Sequence, residues 1–263
     1  MSQLKGATIT YNGICSERFG LYLCNIGNSK GERAIGVVQT VDVEETEGDV
    51  PIFKKLKKSV QSFELNLVKL SKDYTPLPIS EDDMFEINRW LFSVNENKPL
   101  MVDNKDIIYY GVFTSGSSWQ NGAGEGYLTL TFQMASPYGY STVQNSDCRV
   151  AGEKTITLTS KHNAQRFNEI DIEFILDEGQ TGLAIENLTT GQKIMFKNLD
   201  DTCNHVYMYN EGMKHVVSRN NPSVNMIPKF NKQFIHLAYG SNTIKIYGYG
   251  RVRFISQAKV LLQ

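Results

Sequence analysis

The sequence is poor in the features that mark secreted and membrane proteins. It has only four cysteines in 263 residues, none of them closely paired: Cys15, Cys24, Cys148 and Cys203. No apolar run reaches the length that spans a bilayer, and the first residues, Met-Ser-Gln-Leu-Lys-Gly, lack the apolar core of a signal peptide. We therefore expect no membrane segment, synthesis in a reducing cytoplasm, and four free thiols.

An excess of charge of one sign is also missing. The formal net charge is −1, which excludes a generally basic protein that coats DNA but not a local basic surface. With 41% hydrophobic and 11% aromatic residues the chain is globular. Its length is near the size at which a single core stops growing, so two domains are expected.

Side chains arranged for catalysis are scarce. The closest metal-ligand spacing is Cys203 with His205, for which a core thiol beside a surface histidine is the favoured interpretation. The glycine-rich residues 121–126 lead into a strand, which predicts a hairpin tip rather than a phosphate-binding loop. Two pairs of adjacent carboxylates remain, Asp177 with Glu178 and Asp200 with Asp201. Neighbours on a strand point to opposite faces, so the sequence predicts no enzyme, no metal site and no cofactor.

One stretch, residues 80–90, has the pattern of an amphipathic helix. Ser80 is suited to the N-cap, and the three acidic residues that follow it lie near the positive end of the helix dipole. Apolar residues then recur at helical spacing, with two aromatic residues expected to widen the apolar face: Met84, Ile87 and Leu91, then Phe85 and Trp90. We expect this face to pack on a sheet and the acidic side to stay exposed.

Most of the remaining chain alternates as β-strands do. Residues 62–67 alternate cleanly, and residues 107–113 and 127–134 are predicted to form a hairpin around 115–126. Residues 136–145, rich in proline, glycine and polar side chains, predict the domain boundary. The fold class is therefore mainly β, with an N-terminal β-sandwich that carries one α-helix and a β-hairpin (residues 1–141) and a C-terminal β-sandwich (residues 142–263).

The second domain is predicted to consist of short strands at the spacing of a sandwich. They are expected at residues 170–176, 183–187, 192–196, 206–209, 214–218, 233–238, 242–247 and 250–255. Gly240 is expected to begin a tight connection between two of them.

A lysine run follows an acidic segment in the first domain, at Lys54, Lys55, Lys57 and Lys58. Such lysines can contact nucleic-acid phosphates without recognising sequence. The alternative is a solvated edge strand, where lysines discourage aggregation.

Tyrosines are frequent in the second domain. Tyr207 and Tyr209 are predicted to share one strand face, and Tyr247 and Tyr249 have the same spacing. Such rings stack on sugars in carbohydrate-binding sandwiches and also occur at protein–protein interfaces, the use that we favour here. The four tyrosines are therefore a candidate partner or glycan surface.

Several motifs, in this order, resemble the siphophage distal tail proteins (Dit), which are baseplate hubs. In the first half they are Ile9-Thr-Tyr-Asn-Gly-Ile14, Glu17-Arg-Phe-Gly-Leu21, Asn88-Arg-Trp-Leu91 and Leu130-Thr-Phe-Gln-Met-Ala-Ser-Pro-Tyr-Gly-Tyr-Ser141. In the second half they are Ile185-Glu-Asn-Leu-Thr-Thr-Gly-Gln-Lys-Ile194 and Phe234-Ile-His-Leu-Ala-Tyr-Gly-Ser-Asn-Thr-Ile244. Together the motifs cover nearly the whole chain.

The resemblance implies a structural protein of the virion, located at the phage tail tip and assembled in the cytoplasm of the host bacterium. Its N-terminal domain would form a homo-oligomeric, usually hexameric, ring, and its C-terminal sandwich would be galectin-like or carbohydrate-module-like. The ring would join the major tail tube protein to the tail-tip or tail-associated lysin protein. DNA would cross its lumen with only transient, non-specific contact, and a receptor-binding protein stays open as a further partner.

Two expectations depend on that ring. The strands predicted at residues 37–43 and 59–69 would pair between neighbouring subunits, since a closed ring has no free edges. The four lysines, mixed with the acidic residues before them, would line the lumen. The alternative function is a carbohydrate-binding protein that recognises host cell-wall glycans through the C-terminal sandwich.

Overall fold

The computed structural model describes residues 7–24, 39–45, 51–103, 106–164, 167–210 and 214–261. The chain divides into two compact units, Ser141–Val260 and the rest, which is Met1–Tyr140 with Leu261–Gln263. Strands predominate in both units, and the described residues contain one α-helix. The mainly β fold class is confirmed.

The first unit is built on one antiparallel sheet. Its elements are β1 (Ile9–Tyr11), β2 (Ile14–Cys15), a 3₁₀ turn (Ser16–Phe19), β3 (Leu21–Leu23), β4 (Gln39–Glu45), β5 (Pro51–Lys58), β6 (Ser62–Lys69), α1 (Glu81–Phe92), β7 (Lys98–Val102), β8 (Ile107–Gln120), β9 (Gly126–Met134) and β10 (Gly139–Ser141). The main strand order is β2-β1-β7-β8-β9-β6-β3, while β4 and β5 pair with each other in a separate hairpin. The sheet curls around its core, so that its two ends approach each other. The N–H of Leu23, on β3, donates to the carbonyl of Ala7, just before β1, at 2.8 Å.

Helix α1 covers this core and begins where the sequence predicts. Ser80 Oγ accepts from the Asp83 N–H (3.2 Å), and the Asp83 carboxylate accepts from the Ser80 N–H (2.8 Å), so two orphan donors are satisfied by a capping box. Ile87 and Leu91 are buried as predicted, and the Trp90 indole N–H donates to the backbone carbonyl of a core strand. The expectation for Phe85 is wrong: its side chain is 69% exposed, because it lies on the outward side of the helix.

The second unit is organised around two strands of 17 residues. Its elements are β11 (Gln144–Ser160), β12 (Asn168–Glu169), β13 (Asp171–Leu176), β14 (Leu183–Asn187), β15 (Gln192–Phe196), β16 (His205–Tyr209), β17 (His215–Ser218), a 3₁₀ turn (Ile227–Lys229), β18 (His236–Leu237), β19 (Gly240–Ser256) and β20 (Lys259–Val260). Strands β11 and β19 pair along their whole lengths. The other edge of β19 is shared between β13, on residues 250–255, and β14, on residues 244–248.

A bend in β19 folds this sheet into two layers. Gly248 and Gly250 have φ values of 135° and 155°, and a Cβ on Gly250 would lie 2.3 Å from the Ile175 carbonyl oxygen. One layer then holds β13, β16 and β17, and the other holds β14 and β15. Phe174 and Phe196, one from each layer, pack with ring centroids 4.9 Å apart. Strands that change layer at a bend are a known way to build sandwich corners.

Several predicted boundaries in this unit are wrong. The strands expected at residues 242–247 and 250–255 are one continuous strand, and Gly240 begins that strand rather than a connection. The strand expected at residues 233–238 is reduced to His236–Leu237, and β11 is absent from the sequence prediction.

In the first unit, β8 runs to Gln120, so the tip of its hairpin with β9 is only residues 121–125. The strand predicted at residues 37–43 is observed as Gln39–Glu45, and residues 37 and 38 lie outside the described part of the chain.

Candidate functional site

The lysine run lies on β5, in the hairpin that pairs with β4. Lys55 is opposite Asp42 in the ladder, and Lys57 is opposite Thr40 and exposed. Lys58 is held in place, since its Nζ donates to the Tyr138 hydroxyl at 2.9 Å and lies 4.8 Å from the centre of that ring. The structure does not describe the side chains of Lys54 and Lys55. A role for these lysines at a DNA lumen stays a prediction.

The sheet of the first unit has an open edge on each side of its β8–β9–β6 segment. Strand β7 pairs with β8 only up to Gly111, so residues 114–120 have no partner on that edge among the described strands, and all seven are exposed. On the other side, β3 pairs only with residues 67–69 of β6. Residues 62–65 therefore have no partner strand on that edge among the residues that the structure describes. Pairing between subunits, expected for residues 59–69, therefore stays a prediction for the first half of that strand, because residues 67–69 already lie between β9 and β3.

Tyr207 and Tyr209 share one face of β16, as predicted from their spacing. Their rings lie 4.3 Å apart, and Tyr209 stacks on His215 of β17 at 4.3 Å with nearly parallel planes. The Arg219 guanidinium lies 4.5 Å above the Tyr207 ring and donates to the Tyr209 hydroxyl at 2.9 Å. These four side chains form the aromatic–arginine cluster of the outer face of the sandwich.

The hydroxyl of Tyr207 is also engaged. It donates to Asp171 Oδ2 of β13 at 3.2 Å. Burial, followed by the charge of Asp171, raises the pKa of Tyr207 to about 12. Because Arg219 covers this ring, a sugar could stack on Tyr207 only by displacing the guanidinium. The use of this cluster as a protein interface, which the sequence analysis favours, stays a prediction.

A ladder of charges crosses the same face beside the cluster. The guanidinium of Arg253 on β19 contacts Asp147 of β11 and Glu173 of β13, each at 3.2 Å. Glu173 in turn contacts His205 Nε2 at 2.9 Å. Partial desolvation raises the pKa of the Asp147 carboxyl. The hydrogen bonds from Arg251 and Arg253 outweigh that effect, so the pKa is lowered overall. Each charge has a partner of opposite sign, so the ladder joins four strands.

The other two tyrosines belong to a different part of the sandwich. Tyr247 lies on β19 next to β14, with the ammonium groups of Lys193 and Lys245 at 5.2 and 5.1 Å from its ring centre. Tyr249 lies at the bend between the layers and is 47% exposed. The structure therefore brings Tyr207 and Tyr209 together but not all four tyrosines.

The candidate metal ligands Cys203 and His205 have other surroundings in the structure. Cys203 is buried, while His205 is engaged with Glu173, and no group of three or more His, Cys, Asp or Glu side chains in the described ranges could hold a metal ion. No helix in this part of the chain is long and apolar enough to cross a membrane.

Family models account for nearly the whole chain. A model described as a phage tail protein N-terminal domain matches residues 5–136, and one described as a phage tail C-terminal domain matches residues 138–256. The chain therefore belongs to the phage tail proteins.

Its fold is similar to that of a Dit protein, the family that the sequence motifs resemble. The crystal structure of Dit (gp 19.1) of phage SPP1 matches with a TM-score of 0.63 and 13% identity, over 96% of this chain and 99% of that chain. Two structures of the phage p2 baseplate in its activated conformation, with Ca and with Sr, match with a TM-score of 0.48 and 10% identity, over 96% of this chain and 98% of the matched chain. No curated protein matches the sequence.

Proposed function

We propose that the chain forms a hexameric ring at the distal end of the tail, where it joins the tail tube to the tail-tip proteins. The likeness in fold to SPP1 Dit, described as a paradigm of the hub adsorption apparatus, supports this proposal. On this proposal residues 1–141 form the ring, residues 142–263 form an outer, galectin-like sandwich, and the role is structural rather than enzymatic.

The observation that carries the proposal is the pair of open edges on the β8–β9–β6 sheet. An unpaired strand edge is a template for another strand. When the two edges lie on opposite sides of one subunit, β6 of one copy can pair with β8 of the next, and this heterologous contact closes into a ring if the rotation fits. Residues 114–120 of β8 carry no charge, and the facing stretch of β6 carries one, Glu64.

The remaining roles follow from the ring. The tube protein and the tail-tip or tail-associated lysin protein would bind its two faces, and DNA would pass through the lumen. A chain with a net charge of −1 would hold that DNA weakly, which suits passage. The ring would be assembled in the host cytoplasm and then be part of the virion.

A pair of acidic substitutions on the open edge tests the proposal. Ser115 and Ser117 are exposed and lie on the same face of β8. The double variant Ser115→Asp with Ser117→Asp places like charge against Glu64 of the neighbour, which is destabilising across strands. We expect purified wild-type chain to give sixfold rings by negative-stain microscopy, and this variant to give monomers.

Two matched variants make the test specific. Ser115→Lys with Ser117→Lys changes the same positions but attracts Glu64, so rings should remain. Adding Glu64→Lys to the aspartate pair should restore rings. Wild-type monomers at every concentration, or an aspartate pair that assembles normally, would overturn the proposal.

A further inference from the structure

The second unit contains a cleft that the proposed ring does not use. The two halves of β11, residues 144–146 and 157–159, face each other across a cavity of about 380 Å³ because the strand bends with β19 between them. Buried apolar residues form its floor: Ile170, Leu237 and Phe254. We call this feature the β11 cleft.

Both walls of the β11 cleft are strand edges. Strand β11 pairs only with β19 among the described strands, so its other edge is open along both halves. The middle of the strand is protected, since Lys154 Nζ donates to the Arg149 carbonyl at 3.1 Å, and a lysine placed in this way discourages strand addition. The two halves that line the cleft have no such charge.

The lining also has the chemistry of a strand-binding groove. Its polar residues are all amides and hydroxyls, and none of them makes a side-chain hydrogen bond within the described part of the chain. Just outside the cleft the same strand is charged, with Asp147, Arg149 and Glu153. The site therefore selects an uncharged ligand. It contains one aromatic ring, Phe254, which is only 2% exposed, so it offers no stacking platform for a sugar.

We propose that the β11 cleft binds an extended, uncharged segment of another tail protein by strand addition. The segment would form backbone hydrogen bonds with one or both halves of β11 and place every second, apolar side chain on the floor. The proposal needs the chain to be part of a tail but does not depend on the ring.

Hydrogen exchange on purified tails tests this inference. Within residues 144–146 and 157–159, the amides that point away from β19 should exchange at least about tenfold more slowly in tails than in the free full-length chain, because strand addition gives them hydrogen bonds. The other sheet edges, β15 and β17, are internal controls and should change far less. Equal rates at the cleft in both samples would overturn the proposal.

A matched pair of substitutions links the protection to the cleft. Thr157→Asp puts a charge into the cleft, whereas Thr155→Asp puts the same charge at an exposed position on the same strand, outside the lining. Tails with Thr157→Asp should lose the protection, and tails with Thr155→Asp should keep it. An equal loss in both would contradict the proposal, as would protection of the free chain by neutral cell-wall oligosaccharides alone. Electron micrographs of the same tails show whether the ring is present. The ring proposal and the β11 cleft proposal can therefore fail independently.

Discussion

Replacing Gly250 with alanine tests the bend on which the sandwich and the β11 cleft depend. The φ angle of Gly250 is 155°, and an added Cβ would lie 2.3 Å from the Ile175 carbonyl oxygen and 3.0 Å from the Leu176 Cα. Since carbon and oxygen pack at more than 3 Å, β13 would have to move away from β19 by close to 1 Å.

The cost of Gly250→Ala has two parts. Backbone strain at positive φ costs about 1–3 kcal/mol, and each ladder hydrogen bond weakened by the movement costs about 1 kcal/mol. We expect a loss of about 3–5 kcal/mol, which is a large share of the stability of an ordinary domain. Gly240→Ala is the matched control, because Gly240 lies on the same strand with φ of 87° but no atom would lie within 4 Å of its Cβ. It should cost only the backbone strain, about 1–2 kcal/mol.

Native-state hydrogen exchange of the β13 and β19 amides measures this difference. Both tryptophans, Trp90 and Trp119, lie in the first unit, so their fluorescence during urea unfolding reports on that unit and serves as the comparison. If Gly250→Ala and Gly240→Ala destabilise the second unit equally, the close packing at the bend is not what fixes a glycine there.

Three further predictions concern single side chains. Ser80→Ala should cost the first unit about 1 kcal/mol in urea unfolding through loss of the N-cap, and no loss would mean that the capping box is not formed. Burial raises the pKa of Asp83, but hydrogen bonds from Lys69 and Ser80 lower it overall, so its stabilisation is present at neutral pH and is lost as the pH falls below about 4. Asp83→Asn should flatten that acid dependence, and an unchanged slope would assign it to other groups. The raised pKa of Tyr207 means that its stabilisation is lost between about pH 10 and 12. The ultraviolet difference between wild type and Tyr207→Phe should show ionisation near 12, and a value near 10 would contradict the burial of this hydroxyl together with its contact with Asp171.

The helix was predictable because its signals are local. Ser80 and Asp83 cap it through bonds within one turn, and the spacing of Ile87 and Leu91 depends only on helix geometry. Phe85 shows the limit of the pattern: an aromatic residue next to an apolar stripe is not necessarily part of it.

Strand β11 was not predicted because its inward positions are only partly apolar: Cys148, Val150 and Leu158 are buried, but other positions on that face are not apolar. Ser146, Gly152 and Lys154 interrupt the alternation, and the strand is identified only by its pairing with β19, about 100 residues further along the chain. For β19 the glycines at the bend have the pattern of a turn, although they continue one strand.

The candidate surface was predictable only in part. The spacing of Tyr207 and Tyr209 places both rings on one face, but Arg219, His215 and Asp171 reach them from other strands or loops. No local signal in the sequence identifies those partners. Tyr247 has the same spacing to Tyr249, yet it lies beside the other layer because the bend falls between them.

Native mass spectrometry of the purified full-length chain tests the central claim most directly. A ring closed by β6–β8 pairing predicts an assembly of six chains of 29.7 kDa, about 178 kDa, that is lost in the variant with Ser115→Asp and Ser117→Asp and regained on adding Glu64→Lys. A wild-type chain that stays at the mass of one subunit, or an assembly that none of these substitutions changes, would contradict it.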